Sequence, residues 1–222
     1  MDNLIETIEY KGYNINIYPD TEPDSPRNWD NLGIMVCFHH KYDLGDKTDL
    51  TFDEFEGWEE LEKYLVKEKQ AIVIAPLYMY EHSGISIKIG SFYNCGLSQG
   101  HARFDSGQIG FIYVDKETLI KEYGIKRITQ KIKNTARGVL EGEVETYNNY
   151  VSGDGYGYQV EDKEGNDIHS CWGFYGEDDY MIEQAKDNID YDIKEKLKQK
   201  TKTLKALIKN GTDLKIREKI LK

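Results

Sequence analysis

The segment Ala71 to Tyr80, AIVIAPLYMY, is the most hydrophobic stretch of the chain, and Ile85, Ile87 and Ile89 alternate cleanly just after it. Such alternation marks a half-buried strand, and the His82-Ser83-Gly84 turn between the two runs makes them a hairpin. Gln108 to Val114, QIGFIYV, reads as a further apolar strand. Strands joined by short turns pair antiparallel, whereas parallel pairing needs long crossovers. The expected fold class is therefore α+β: an antiparallel sheet built from hairpins, with 71–80 and 108–114 at its centre. Helices are expected on one face of that sheet, followed by a helical C-terminal tail. Pro76 removes one ladder donor, so its strand should be interrupted there or lie at an edge.

The remaining elements follow from local pattern. Ile5 to Tyr18 alternates around Lys11-Gly12, as a hairpin does, and Pro19 stops it. Residues 19–31 contain Pro19, Pro23 and Pro26 and form a loop, with Trp29 expected to anchor it. Leu32 to His39 has strand length. Asp53 to Lys69 repeats Phe55, Trp58, Leu61 and Leu65 at helical spacing, with Thr51 or Asp53 as cap. Asp115 should cap a short helix that Gly124 ends, and Thr129 to Tyr150 should form a longer one. Tyr158–Asp162 and Ile168–Tyr175 read as a hairpin, and the chain from Asp178 as helical, broken once at Asn210-Gly211. Residues 90–107, rich in Gly, Ser and Asn, read as a long loop.

Charge divides the chain unevenly. Its 222 residues carry a formal net charge of −11. Residues 188–222 hold 11 Lys+Arg and 5 Asp+Glu, a net of +6, which leaves −17 on residues 1–187. The expected organisation is an acidic α+β domain, 1–187, and a lysine-rich helical tail, 188–222. The densest acidic stretch runs from Asp43 to Glu62 and includes Asp53, Glu54, Glu56, Glu59 and Glu60. Such a surface repels nucleic-acid phosphates and suits basic protein surfaces instead. No apolar run approaches the roughly 20 residues of a spanning helix, so no membrane association is expected. The N-terminus has acids and no apolar h-region, so no secretory signal is expected either. Cys37, Cys95 and Cys171 are odd in number and never form a CxxC pair, which fits a reduced cytoplasmic protein.

The motifs for phosphate and dinucleotide binding are missing. GxxxxGK[ST] does not occur, and Gly153-Asp154-Gly155-Tyr156-Gly157 follows a helix rather than a strand. No cofactor is therefore expected. The candidate metal ligands are His39, His40 and His82, but their spacing does not demand a site. His39 and His40 are neighbours at a strand end and should point to opposite faces. A candidate catalytic group joins two polar turns, His82-Ser83-Gly84 and Asp105-Ser106-Gly107. If the flanking strands pair, His82, Ser83, Asp105 and Ser106 meet at one sheet end, as nucleophilic hydrolysis requires. The alternative is that these small polar residues simply form turns. The aromatic run Cys171-Trp172-Gly173-Phe174-Tyr175 reads as hairpin packing, since acids rather than bases follow it.

Five pieces occur together: SPRNWDNLG (25–33), MVCFHHKYDLGD (35–46), PLYMYEHSGISI (76–87), FDSGQIGFIYV (104–114) and HSCWGFYG (169–176). In combination they resemble a family of accessory proteins carried by bacteriophages and integrated mobile elements. The resemblance spans roughly residues 20–180 and excludes the lysine-rich tail. It implies a phage gene expressed in the cytoplasm of a bacterial host, and no particular activity. The leading expectation is a binding protein that inhibits a bacterial defence nuclease, of the anti-CRISPR or anti-restriction kind. Its acidic surface would occupy the partner's basic nucleic-acid channel. The rival expectation is a hydrolase of nucleotides or nucleic acid that uses the His82 and Asp105 turns. A third is a structural protein that forms homo-oligomers through its tail. The tail is expected to form an amphipathic helix that docks on the acidic body or on a partner, with nucleic-acid binding by the tail alone as the alternative; no other direct nucleic-acid binding is expected.

Overall fold

The computed structural model describes the backbone of residues 3–93, 104–176 and 179–221. Cys95, His101 and most of the expected 90–107 loop lie outside the described residues. The strands, in chain order, are β1 (Glu6–Tyr10), β2 (Tyr13–Pro19), β3 (Ile34–Cys37), β4 (Ala71–Glu81), β5 (Ile85–Ile89), β6 (Ser106–Asp115), β7 (Gly155–Glu161) and β8 (Asp167–Tyr175). The helices are α1 (Trp58–Lys67), α2 (Lys116–Tyr123), α3 (Gln130–Ser152), α4 (Asp179–Lys209) and α5 (Leu214–Leu221). The α+β class is as expected, but the strands form two four-stranded sheets rather than one. They belong to two compact units, residues 22–155 and residues 1–21 with 156–222.

In residues 22–155 the strand order is β3-β6-β4-β5, so the two most apolar strands are central. Pairing is antiparallel throughout this sheet. β6 is buried on both faces from Ile109 to Val114. On one face Met35, Leu77, Ile112 and Val114 pack against Ala136, Leu140 and Val144 of α3. On the other, Val36, Phe111 and Tyr113 pack against Leu61 and Leu65 of α1. Helices on a single face is therefore corrected to helices on both. Met35 and Val36 are neighbours on a strand, so they point to opposite faces, and both faces are apolar. Each needs a cover, and each fully buried Leu or Ile side chain contributes about 1.5–3 kcal/mol. Gly110 shows how closely the strands approach: a Cβ there would meet the Val36 carbonyl oxygen at 1.9 Å.

Pro76 does not interrupt β4 or place it at an edge. Its carbonyl accepts from Gly90 N at 2.9 Å, just past the end of β5, while β6 continues alongside. Backbone N and C=O of one residue point the same way in an antiparallel ladder. The missing donor therefore faces the place where β5 has already ended. The far edge, β5, is covered by α3: Asn148 Oδ1 accepts from Ile87 N at 2.7 Å and Ser86 Oγ at 3.0 Å.

The expected helix over 53–69 starts later. Phe52–Glu54 is a 3-10 turn, Gly57 is the cap, and neither Thr51 nor Gly57 supplies a side-chain bond. The helices after β6 follow their signals. Asp115 accepts from Thr118 N at 2.9 Å, and Gly124 ends α2 in the left-handed region. Trp29 is half-exposed, whereas Pro26 is buried and the Arg27 side chain nearly so.

In the other unit the order is β1-β2-β7-β8. Ile15, Ile17, Tyr158 and Val160 pack against Met181, Ala185 and Ile189 of α4. The Lys11 ammonium bonds Asp190 at 2.6 and 2.7 Å, tying the β1–β2 turn to the helix. The boundary expected at 187/188 falls inside α4. Ile189 is buried because the apolar stripe of the first part of α4, Met181, Ala185 and Ile189, packs on Ile15, Ile17, Tyr158 and Val160 of the sheet. Among the described residues no helix is long and apolar enough to cross a membrane.

Candidate functional site

The acidic segment comes first. Asp53 and Glu54 sit on the 3-10 turn, Glu56 in the link to Gly57, and Glu59 and Glu60 in the first turn of α1. All five are exposed, as is Glu62. The aromatic side chains between them turn the other way: Phe52, Phe55 and Trp58 pack on the cluster of Val36, Leu61 and Phe111. Phe52 and Trp58 lie 4.2 Å apart between ring centroids. The packing of these half-buried rings turns the carboxylates outward. Glu59 and Glu60 also sit at the positive end of the helix dipole. Glu60 Oε2 accepts from Glu56 N at 2.6 Å, fixing the entry to the helix. Among the described residues none of the six carboxylates is in an ion pair.

Asp46, in the same acidic stretch, has a different fate. It receives Arg27 Nε at 2.9 Å and Nη2 at 2.7 Å, and Met35 N at 2.7 Å. Arg27 Nη1 reaches Glu143 at 3.2 Å, and Glu143 also accepts from Leu32 N at 2.7 Å. This node pins the proline-rich loop to β3 and α3. Sequence reading missed it because the three charges are 19 and 116 residues apart in the chain. Arg27 is held protonated by the two carboxylates in spite of its desolvation. Nearby, desolvation and the Asp46 charge push the Cys37 thiol up to about 12, which makes it inert at neutral pH.

The two polar turns do meet. Tyr80 pairs with Ser106, and Glu81 N donates to Asp105 O at 2.8 Å, so the ends of β4 and β6 coincide. His82 Nδ1 lies 3.2 Å from Asp105 Oδ2. Ser106 stands on β6 opposite Tyr80. Ser83 is exposed in the turn, where His82 N donates to Gly84 O at 3.2 Å. Beside this pair is a cleft of about 390 Å³ lined by His39, Glu81, Phe104, Asp105, Ser106 and Gln108 among others. Glu81 accepts from Lys41 Nζ, and from Tyr42 OH at 2.7 Å; these bonds hold its carboxyl below the usual range. His39 stacks on Tyr42 at 5.2 Å. Desolvation, and then the charge of His40, lowers its affinity for a proton. A His–Asp pair supplies a base and the carboxylate that orients it.

His39 and His40 do not point to opposite faces. β3 ends at Cys37, so the alternation has stopped before them, and their rings lie 4.5 Å apart. Among the described residues no three His, Cys, Asp or Glu side chains are placed to hold a metal, so His39, His40 and His82 form no such group. Lys41, Tyr42 and Glu81 were not singled out in the sequence. Glu81 and Lys41 are 40 residues apart, and only the β3-β6-β4 order brings them together. No family model, curated protein or solved structure matches this chain.

Proposed function

We propose that this chain is a binding protein whose acidic surface at 53–62 occupies a basic, nucleic-acid-holding surface of another protein. In the phage setting that the sequence motifs imply, the partner is a defence nuclease of the bacterial host, of the CRISPR or restriction kind, met in the cytoplasm. One observation carries the reading: Asp53, Glu54, Glu56, Glu59, Glu60 and Glu62 are exposed together and, among the described residues, without a cation. Clustered unpaired charge raises the local potential and steers a cationic partner, and the half-buried aromatic layer of Phe52, Phe55 and Trp58 supports the cluster. The test is phage plating on a host that carries such a nuclease, with and without this chain. Plating should rise with the chain and fall back with Glu56→Lys, Glu59→Lys and Glu60→Lys together.

A second reading rests on the 3.2 Å pair of His82 and Asp105 beside an open cleft. It makes the chain a hydrolase of nucleotides or nucleic acid, with His82 as base and Asp105 as its orienting group. Ser106, on the cleft wall, is then the candidate nucleophile. Incubation with nucleotide and nucleic-acid substrates tests it: turnover abolished by His82→Ala supports this reading, and absence of turnover removes it.

A further inference from the structure

The second half of α4 carries a charge pattern opposite to the rest of the chain. From Ile193 to Lys209 there are seven lysines and a single acid, Glu195. Lys194, Lys198, Lys202, Lys205 and Lys209 recur once per turn and are all exposed. At 3.6 residues per turn these five fall within roughly 80° of arc, as a ladder about 22 Å long. Among the described residues only Lys198 of the five is in an ion pair, with Glu195 on the same helix at 3.1 Å.

The neighbours of the ladder favour one partner. Gln199, Thr201 and Thr203 lie along the same stretch and are exposed; amide and hydroxyl side chains are common phosphate contacts. A helix that lies in a bilayer interface uses a broad apolar face with aromatic anchors. From Ile193 to Lys209 there is no aromatic residue, and Leu204 and Leu207 are half-buried where the chain turns back towards α5. Only Leu197 and Ile208 are exposed large apolar side chains on this stretch. Lysine is a point charge that neutralises phosphate without the planar fork that reads a base.

We propose that this ladder binds the phosphate backbone of double-stranded nucleic acid without regard to base sequence. The buried residues Met181, Ala185 and Ile189 fix the helix to its own sheet, so the ladder is presented from a rigid root. The ladder is built from other residues than the 53–62 surface, and the proposal does not depend on the function proposed for that surface.

The experiment is fluorescence anisotropy of a labelled DNA duplex of about 20 base pairs, titrated with the full chain from about 50 to 200 mM salt. Five neutralised phosphates predict a slope of log K against log salt of about −4.5. The triple variant Lys198→Gln, Lys202→Gln, Lys205→Gln should lower the slope to about −2 and weaken binding at least about tenfold at the lowest salt. Glutamine is a good helix former and the three positions are exposed, so circular dichroism should be unchanged. Lys131→Gln, an exposed change on α3, should leave duplex binding as it is. Four results would overturn the proposal: no saturable duplex binding at the lowest salt; binding unaltered in the triple variant; preference for phosphatidylserine vesicles over the duplex; or a ladder-dependent self-association that accounts for the anisotropy without DNA.

Discussion

Arg27 meets Asp46 through a fork of two hydrogen bonds, Nε to Oδ1 at 2.9 Å and Nη2 to Oδ2 at 2.7 Å, with only 5% of the Arg27 side chain exposed. Glu143, 11% exposed, takes the remaining arm of the guanidinium. Removing the cation leaves two carboxylates facing each other out of bulk water. Arg27→Ala should therefore cost about 3–5 kcal/mol, the scale of a broken buried pair. Lys47→Ala, on the exposed side of the same loop, should stay within about 0.5 kcal/mol. Urea unfolding midpoints compare the two.

His82 and Asp105 touch at the surface, with 53% and 29% of their side chains exposed. Solvent screens such a pair, so a double-mutant cycle of His82→Ala and Asp105→Ala should give a coupling below about 1 kcal/mol. An unfolding midpoint of His82→Ala close to that of the native chain would make any loss of turnover a chemical effect rather than a folding one.

The fold was legible where a signal is local. Alternation gave β4 and β5, Asp115 and Gly124 gave α2, and Asn210-Gly211 gave the break before α5. What was not legible depends on distant partners. β2 pairs with β7 across most of the chain, Ile17 opposite Tyr158, and periodicity cannot announce that pairing. That is why one sheet was expected where there are two. Ile189 falls inside the expected tail, 188–222, because its partners, Ile15 and Val160, are far away in sequence. The meeting of His82 with Asp105 was foreseeable from turn positions alone. The ring of Lys41, Tyr42 and Glu81 beside it needed the strand order.

Because α4 is rooted in its sheet, where it is cut matters. A chain ending at Asp187 loses Ile189 and Ile193 and uncovers Ile15, Ile17 and Val160. Truncating one such buried side chain costs about 2–5 kcal/mol, so this unit should lose its fixed packing. A chain ending at Lys198 keeps those contacts and should stay cooperative. Limited proteolysis and near-ultraviolet circular dichroism distinguish them.

Acid should loosen the same helix. The hydrogen bond from Lys11 holds the Asp190 carboxyl below its ordinary value of 3.8. A depressed carboxyl contributes stability above its unfolded pKa and loses it as pH falls through the lower, folded value. The difference in melting temperature between the native chain and Asp190→Asn should thus be constant above about pH 5 and shrink below it. A difference that grows towards acid would reverse the assignment.

The central claim is that exposed carboxylates at 53–62 do the binding. The direct measurement is inhibition of a host defence nuclease, by plating assay and by capture of the purified enzyme, for two triple variants at positions 56, 59 and 60. Glutamine replacements keep an acceptor for the Glu56 N–H and remove the charge; lysine replacements reverse it. The account predicts weakened inhibition with glutamine, none with lysine, and weakening of the native complex by raised salt, since exposed charges are screened within about 8–10 Å. Full inhibition by the lysine variant, at any salt, would contradict it.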